Sequence, residues 1–186
     1  MGAAAMARVA LMAALTAVGA QLSIPLPFTP VPFTLQVPMV VLSGLLLGAR
    51  YGALSQVVYL VLGAAGLPVF AKFSAGLGII LGPTGGYLVS YPFAAAVAGL
   101  AAATVATGTR GRAIASGTAS GLLALLIIYA VGAAWLAVQA KLTPEAAVVA
   151  GVLPFVPFDV VKVVLAVLLA AAAAPQISPG AKRSSP

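Results

Sequence analysis

The sequence predicts an all-α, polytopic integral membrane protein whose six transmembrane helices form one bundle. Apolar residues make up 63% of the 186 positions, charged residues make up only 6%, and the mean hydropathy is +1.20. A soluble domain carries far more charge, because its surface has to face water. The apolar residues form long runs that are separated by short breaks rich in proline, glycine or charge. We therefore predict one transmembrane domain over 1–175 and a disordered cytoplasmic tail over 176–186.

The apolar runs define the predicted spans, since each crossing of a bilayer needs about 20 apolar residues. The candidates are 6–23, 36–49, 51–63, 83–105, 113–139 and 157–174. The second and third are short, so we expect them to be tilted or partly buried in protein. Prolines at 25, 27, 30 and 32 end the first span. That first run superficially resembles a signal peptide, but further spans follow it, and we expect a retained helix.

The basic residues predict the orientation of the spans. With six spans and both termini cytoplasmic, the inner side would carry Arg8, Arg50, Arg110, Arg112, Lys182 and Arg183. The outer side would carry only Lys72 and Lys141. This excess of inner positive charge is typical of proteins in the cell membrane. The same orientation places the proline-rich loop, the segment 64–81 and the start of the sixth span outside.

The residue inventory excludes several classes of function. The chain contains no Cys and no His, which excludes thiol chemistry and metal sites built on those ligands. No lysine follows a glycine, so the chain has no P-loop for ATP, and energy for transport would have to come from partners or an ion gradient. The net charge of +7 arises from scattered residues without a basic stripe, which argues against nucleic acid. We predict no enzymatic activity, no metal and no cofactor.

Two charged residues stand out because they lie within the sixth predicted span. Asp159 and Lys162 are three positions apart, and a helix places them on one face. Ionisable groups inside a span are costly and are functional candidates for that reason. They could form a self-neutralising pair, or Asp159 could accept hydrogen bonds from N–H groups of a ligand while Lys162 attracts a carboxylate or orients Asp159. The sequence leaves both interpretations open.

The stretch 82–87, Gly-Pro-Thr-Gly-Gly-Tyr, interrupts an otherwise helical pattern in an uncharged window. Irregular backbone at membrane depth is tolerated where it is buried in protein or lines a polar cavity. The stretch therefore predicts either a ligand cavity or a tight turn that begins a closely packed helix.

The string GPTGGYL, together with GLPVF at 66–70, VPFTLQ at 31–36 and FVPFDVVK at 155–162, resembles the BioY family. The four motifs occur in the family's order over about residues 8–173. The members are substrate-binding (S) components of energy-coupling-factor biotin transporters. The resemblance implies a membrane protein that binds biotin from the outer side. Its partners would be a transmembrane coupling subunit and two cytoplasmic ATPases.

The resemblance points first to Asp159, Lys162, Thr84, Gly85 and Tyr87 as substrate-binding residues. Around them we place polar groups, aromatic walls and glycines that approach a ligand or a neighbouring helix: Thr34, Gln36, Phe33, Tyr59, Phe70, Phe73, Tyr91, Gly82 and Gly86. Aromatic residues near span ends also form interfacial belts, and we assign Tyr129 and Trp135 to packing or the belt.

The first helix carries alanines at a four-residue spacing, which lets another helix approach closely. By resemblance, Ala10 and Ala14 would dock the coupling subunit. Three other functions remain open: an S component for another vitamin, a carrier or channel driven by an ion gradient alone, and a membrane-embedded enzyme. The last is disfavoured because one Asp–Lys pair offers little acid–base machinery.

Overall fold

The computed structural model describes residues 2–177, and the predicted tail lies outside them apart from its first two residues. Short 3₁₀ turns lie at Ala71–Phe73 and Gly99–Ala101. The helices are α1 (Ala3–Gln21), α2 (Gln36–Ala64), α3 (Leu77–Ile80), α4 (Gly85–Ala98), α5 (Ala102–Thr107), α6 (Arg110–Gln139), α7 (Pro144–Gly151) and α8 (Val156–Ile177).

Helix α2 is a hairpin of two arms, 36–47 and 49–64, folded back at Gly48. Gly48 has φ 78° and ψ 170°, a conformation that is essentially confined to glycine. In a straight helix residues 36 and 59 would be about 35 Å apart. Instead the Gln36 side chain donates a 2.8 Å hydrogen bond to the Tyr59 hydroxyl. Gly44 and Gly52 face each other across the hairpin, where missing side chains let the arms approach.

The hairpin reconciles the helix count with the prediction. Five helical segments of the described chain are long and apolar enough to cross a membrane, and the second of them is the α2 hairpin. When the two arms of α2 are counted separately, the bundle has six long helical segments, here called legs. This confirms the predicted all-α six-helix bundle. The predicted boundaries of the second and third spans, at 49 and 51, lie within three residues of the turn at Gly48. The fourth leg joins α4 to α5 through the 3₁₀ turn.

Consecutive legs run in opposite directions. In α1 and α2, Gly19 lies against Leu35, while Gly117 and Gly121 of α6 pack against Val167 and Val163 of α8. As a result the loops 22–35, 65–84 and 140–155 meet at one end of the bundle. The start of α1, the hairpin turn and the end of α8 lie at the other.

Two short helices of the described chain, α3 and α7, were not predicted, and α7 has the clearer signal in the sequence. Thr143 caps it, with its side-chain oxygen accepting a 3.2 Å hydrogen bond from the Ala146 amide. Pro144 occupies the first turn together with Glu145. A Thr-Pro-Glu start is a recognisable helix signal. The prediction of a plain loop between the fifth and sixth spans was therefore incomplete.

Candidate functional site

A cavity of about 190 Å³ opens among the loops at the end of the bundle where 22–35, 65–84 and 140–155 meet. Its walls come from the first loop, the segment after α2, and the nearby ends of α4, α6 and α8. The lining residues are Pro30, Val31, Pro32, Thr34, Gln36, Val37, Phe70, Ala71, Lys72, Ser74, Ile79, Thr84, Tyr87, Leu88, Tyr91, Ile128, Tyr129, Gly151, Phe155 and Asp159. This mixture of apolar walls and a few polar groups is typical of small-molecule sites.

A buried ion pair lies beside the cavity, in the first turns of α8. Lys162 Nζ is 2.8 Å from Asp159 Oδ1, and the two residues are only 9% and 5% exposed. The second carboxylate oxygen, Oδ2, accepts a 2.8 Å hydrogen bond from the Tyr129 hydroxyl. Each oxygen of a carboxylate can accept two hydrogen bonds, so each keeps one position for a further donor. Asp159 therefore keeps acceptor capacity on both oxygens at the wall of the cavity.

The ammonium of Lys162 is fully engaged by the protein. Besides Asp159 it donates a 2.8 Å hydrogen bond to the Thr34 carbonyl, and it lies 3.5 Å from the centre of the Phe33 ring. Phe33 is itself held by an edge contact with Phe158, with ring centres 5.4 Å apart. The cation is thus neutralised and covered, which makes it a support for Asp159.

The proline-rich loop is pinned so that these contacts are possible. Ile24 and Phe33 form an antiparallel bridge, with N–O distances of 2.8 and 2.9 Å between their backbones. The bridge closes a loop in which the prolines have no amide donor to satisfy. It brings Phe33 and the Thr34 carbonyl over the start of α8, 128 residues further along the chain.

A second polar group in the wall is Gln36, which begins the first arm of α2. Its amide donates to Tyr59, while its oxygen accepts a 3.1 Å hydrogen bond from the Thr34 hydroxyl. Tyr59 is buried behind the wall and packs edge-on against Phe70. The Phe70 ring occupies the space that a side chain at Gly63 would fill. Gln36 is therefore held in one orientation.

The glycine-rich stretch packs against a helix. Trp135 of α6 donates a 2.9 Å hydrogen bond from its indole nitrogen to the Gly82 carbonyl, and its side chain lies against Gly86. Gly85 contacts the Ile80 carbonyl. These three glycines are not among the cavity-lining residues, whereas Thr84 is. The stretch therefore forms the tight turn that begins α4, and two of its other residues, Thr84 and Tyr87, line the cavity.

The structure thus gathers part of the predicted set around one cavity. Asp159, Thr34, Gln36, Phe70, Thr84, Tyr87 and Tyr91 line it. Lys162, Phe33 and Tyr59 support lining residues from behind. Phe73 is 71% exposed and is not among the lining residues. Substrate contact by any of these residues stays a prediction.

Several residues of the site were not predicted from the sequence, among them Tyr129 and Lys72. Tyr129 was assigned to packing or the belt, yet its hydroxyl bonds to Asp159 from 30 positions away on another helix. Lys72 appeared only as a loop charge and in fact lines the cavity. No local pattern marks either residue, because only the folding of the chain brings them to the cavity. Tyr91, a predicted residue of the aromatic wall, also lines the cavity, and its hydroxyl has no hydrogen-bond partner within residues 2–173.

A bundle of membrane-spanning length that encloses a small cavity, with a neutralised carboxylate as its main polar feature, defines a multi-pass membrane protein that binds a small molecule. Similarity to known proteins narrows this class. The profile of the BioY family matches residues 1–179, and the chain belongs to that family.

Several relatives cover most of the chain. The probable biotin transporter BioY of Pyrococcus horikoshii is 47% identical over 87% of this chain and 91% of its own length. The biotin transporter BioY of Thermotoga maritima is 46% identical over 84% and 88%. A crystal structure of the S-component for biotin from an ECF-type ABC transporter superimposes with a TM-score of 0.83. It has 29% identity over 91% of this chain and 89% of that one.

Proposed function

We propose that this protein is a biotin-binding S component of an energy-coupling-factor transporter and takes up biotin without changing it chemically. The observation that carries the proposal is Asp159, buried beside the cavity with both oxygens still able to accept hydrogen bonds. Biotin presents two N–H groups from its ureido ring. A carboxylate whose charge is balanced by Lys162 matches them with charge-assisted hydrogen bonds.

The rest of the wall suits the remainder of the ligand. The sulfur-containing ring and the aliphatic chain of biotin are apolar, and Phe70, Tyr87, Leu88 and Ile128 offer apolar surface. Burial of that surface contributes about 25 cal/mol per Å². No metal or cofactor is needed for binding, and we propose that none takes part.

Calorimetry on the full chain in detergent tests the assignment of substrate. We expect saturable binding of one biotin per chain, and no binding of thiamine or riboflavin at about 100-fold higher concentration, a gap of roughly 2.7 kcal/mol in binding free energy. Absence of biotin binding by folded protein would overturn the proposal. Tight binding of another vitamin would replace the substrate and keep the class.

The partners follow from the energy requirement. The chain has no P-loop of its own, and we propose that a transmembrane coupling subunit and two cytoplasmic ATPases drive transport. Reconstitution of the chain alone, under an imposed ion gradient, distinguishes this from a gradient-driven carrier. Uptake without the ATPases would contradict the proposal.

We further propose that the protein lies in the cytoplasmic membrane with both termini inside. Arg50, Arg110 and Arg112 lie towards the end of the bundle opposite the cavity, whereas Lys72 and Lys141 lie at the cavity end. The excess of positive charge belongs on the inner side, so the cavity opens outwards.

The docking face is proposed to include Ala10 and Ala14 of α1. Both are exposed, in contrast to Ala13, which is buried within the bundle. Replacement Ala14→Trp should abolish assembly with the coupling subunit, because a bulky ring prevents close helix approach, and should leave biotin binding unchanged. Co-purification measures assembly. The matched control is Ala119→Trp at an exposed position of α6, which should assemble normally. Normal assembly of Ala14→Trp would place the interface elsewhere.

A further inference from the structure

Lys72 is the only positively charged residue among the described residues that line the cavity. Its side chain is exposed and forms no hydrogen bond or salt bridge within the part of the chain that the structure describes. Lys162, by contrast, is committed to Asp159, Thr34 and the Phe33 ring. A negatively charged group that enters the cavity therefore finds one available cation, and it is Lys72.

The turn that carries Lys72 has an unusual backbone. Lys72 and Phe73 have φ of 59° and 54°, in the left-handed region that side chains other than glycine rarely adopt. The turn is closed by a 3.0 Å hydrogen bond from the Phe70 amide to the Ser74 carbonyl. The Ser74 hydroxyl adds a 2.7 Å bond to the Ala71 carbonyl. Such a conformation persists only where its surroundings hold it.

Gln21, at the end of α1, supplies much of that hold. Its side-chain amide donates to the carbonyls of Val69 and Phe70 at 3.3 and 3.1 Å, and its oxygen accepts from the Phe73 amide at 2.9 Å. One side chain thus grips the turn on both sides of Lys72. The segment follows α2 by several residues and would otherwise be joined to α1 only through side-chain packing.

We propose that Lys72 binds the carboxylate of the ligand at the rim of the cavity, and that Gln21 is a positioning residue which holds the Lys72 turn there. The proposal rests on the proposed function. It also sets the orientation of the ligand. The ureido ring lies towards Asp159, which accepts its N–H groups, and the negative end of the chain lies away from Asp159 and next to Lys72. The reverse orientation would place two carboxylates side by side, which electrostatic repulsion opposes.

The test compares biotin with biotin methyl ester, which has the same rings and chain but no charge. In the intact chain we expect the ester to bind about tenfold more weakly, because a charge-assisted hydrogen bond is lost. Lys72→Gly should weaken biotin binding about tenfold and leave ester binding unchanged, so that the two affinities become equal. Glycine keeps the left-handed turn. Lys72→Arg, which keeps the charge, should retain the preference for biotin.

Gln21→Met removes the hydrogen bonds that hold the Lys72 turn and keeps the side chain nearly as long. It should reduce the preference for biotin over the ester while ester affinity stays the same, a result that general loosening of the fold would not produce. An unchanged preference in Gln21→Met would remove its positioning role. An unchanged preference in Lys72→Gly, or none in the intact chain, would overturn the proposal. In both cases biotin still binds, so failure here is distinct from failure of the proposed function, in which biotin does not bind at all.

Discussion

Asp159→Asn should weaken biotin binding at least about 100-fold. The substitution keeps the size of the side chain but replaces one acceptor oxygen by an N–H₂ group and removes the negative charge. A donor would then face the ureido N–H or the Lys162 ammonium, which is 2.8 Å from Oδ1. Hydrogen bonds to a charged group are worth about 1.5–3 kcal/mol each, so losing two accounts for a change of this size. Calorimetric titration with biotin measures it.

The same substitution also threatens the fold, because it leaves the buried Lys162 without its counter-ion. Breaking a buried pair on one side costs about 3–5 kcal/mol. The double variant Asp159→Asn with Lys162→Met removes both charges and should recover thermal stability without recovering biotin binding. If either stably folded variant binds biotin with unchanged affinity, Asp159 is not the acceptor, and recognition must be sought among Gln36, Thr84 and Tyr91.

Gly86→Ala should destabilise the protein by about 1–3 kcal/mol, because α4 and α6 approach too closely here for a side chain. A Cβ atom on Gly86 would lie 2.7 Å from Trp135 Cγ and 2.9 Å from the Val131 carbonyl oxygen. Both neighbours belong to α6, the helix that also carries Tyr129 of the site. Thermal unfolding in detergent measures the loss, and biotin titration of the surviving folded fraction reports on the cavity.

Gly111→Ala is the matched control, since nothing lies within 4 Å of a Cβ at that position in the first turn of α6. It should leave the free energy of unfolding unchanged or raise it by about 0.5–1 kcal/mol, because alanine has a higher helix propensity than glycine. Equal thermal stability of Gly86→Ala and Gly111→Ala would show that the α4–α6 contact relaxes easily. The glycines of the 82–87 stretch would then need another explanation.

Short-range patterns in the sequence determined the class of protein and the position of its main charges. Polar groups are costly to place inside a bilayer, so long apolar runs are enough to predict membrane spans. Asp159 and Lys162 fall on one face of a helix because of helical periodicity alone, and the structure places them 2.8 Å apart. The break near Gly48 was also recognised, since neighbouring glycine and charge interrupt the apolar run.

Only the tertiary structure decided what surrounds those charges. The Tyr129 hydroxyl of α6 donates a hydrogen bond to Asp159 of α8. Gln21 of α1 holds the Lys72 turn, which is about 50 residues further along the chain. Trp135 gives the glycine-rich stretch a packing role. None of these pairings leaves a mark at short sequence separation, because each depends on how the legs pack and which loops meet at one end of the bundle. Residue type and spacing therefore determined the membrane class and the ion pair, whereas long-range packing decided which groups line the cavity and which only support it.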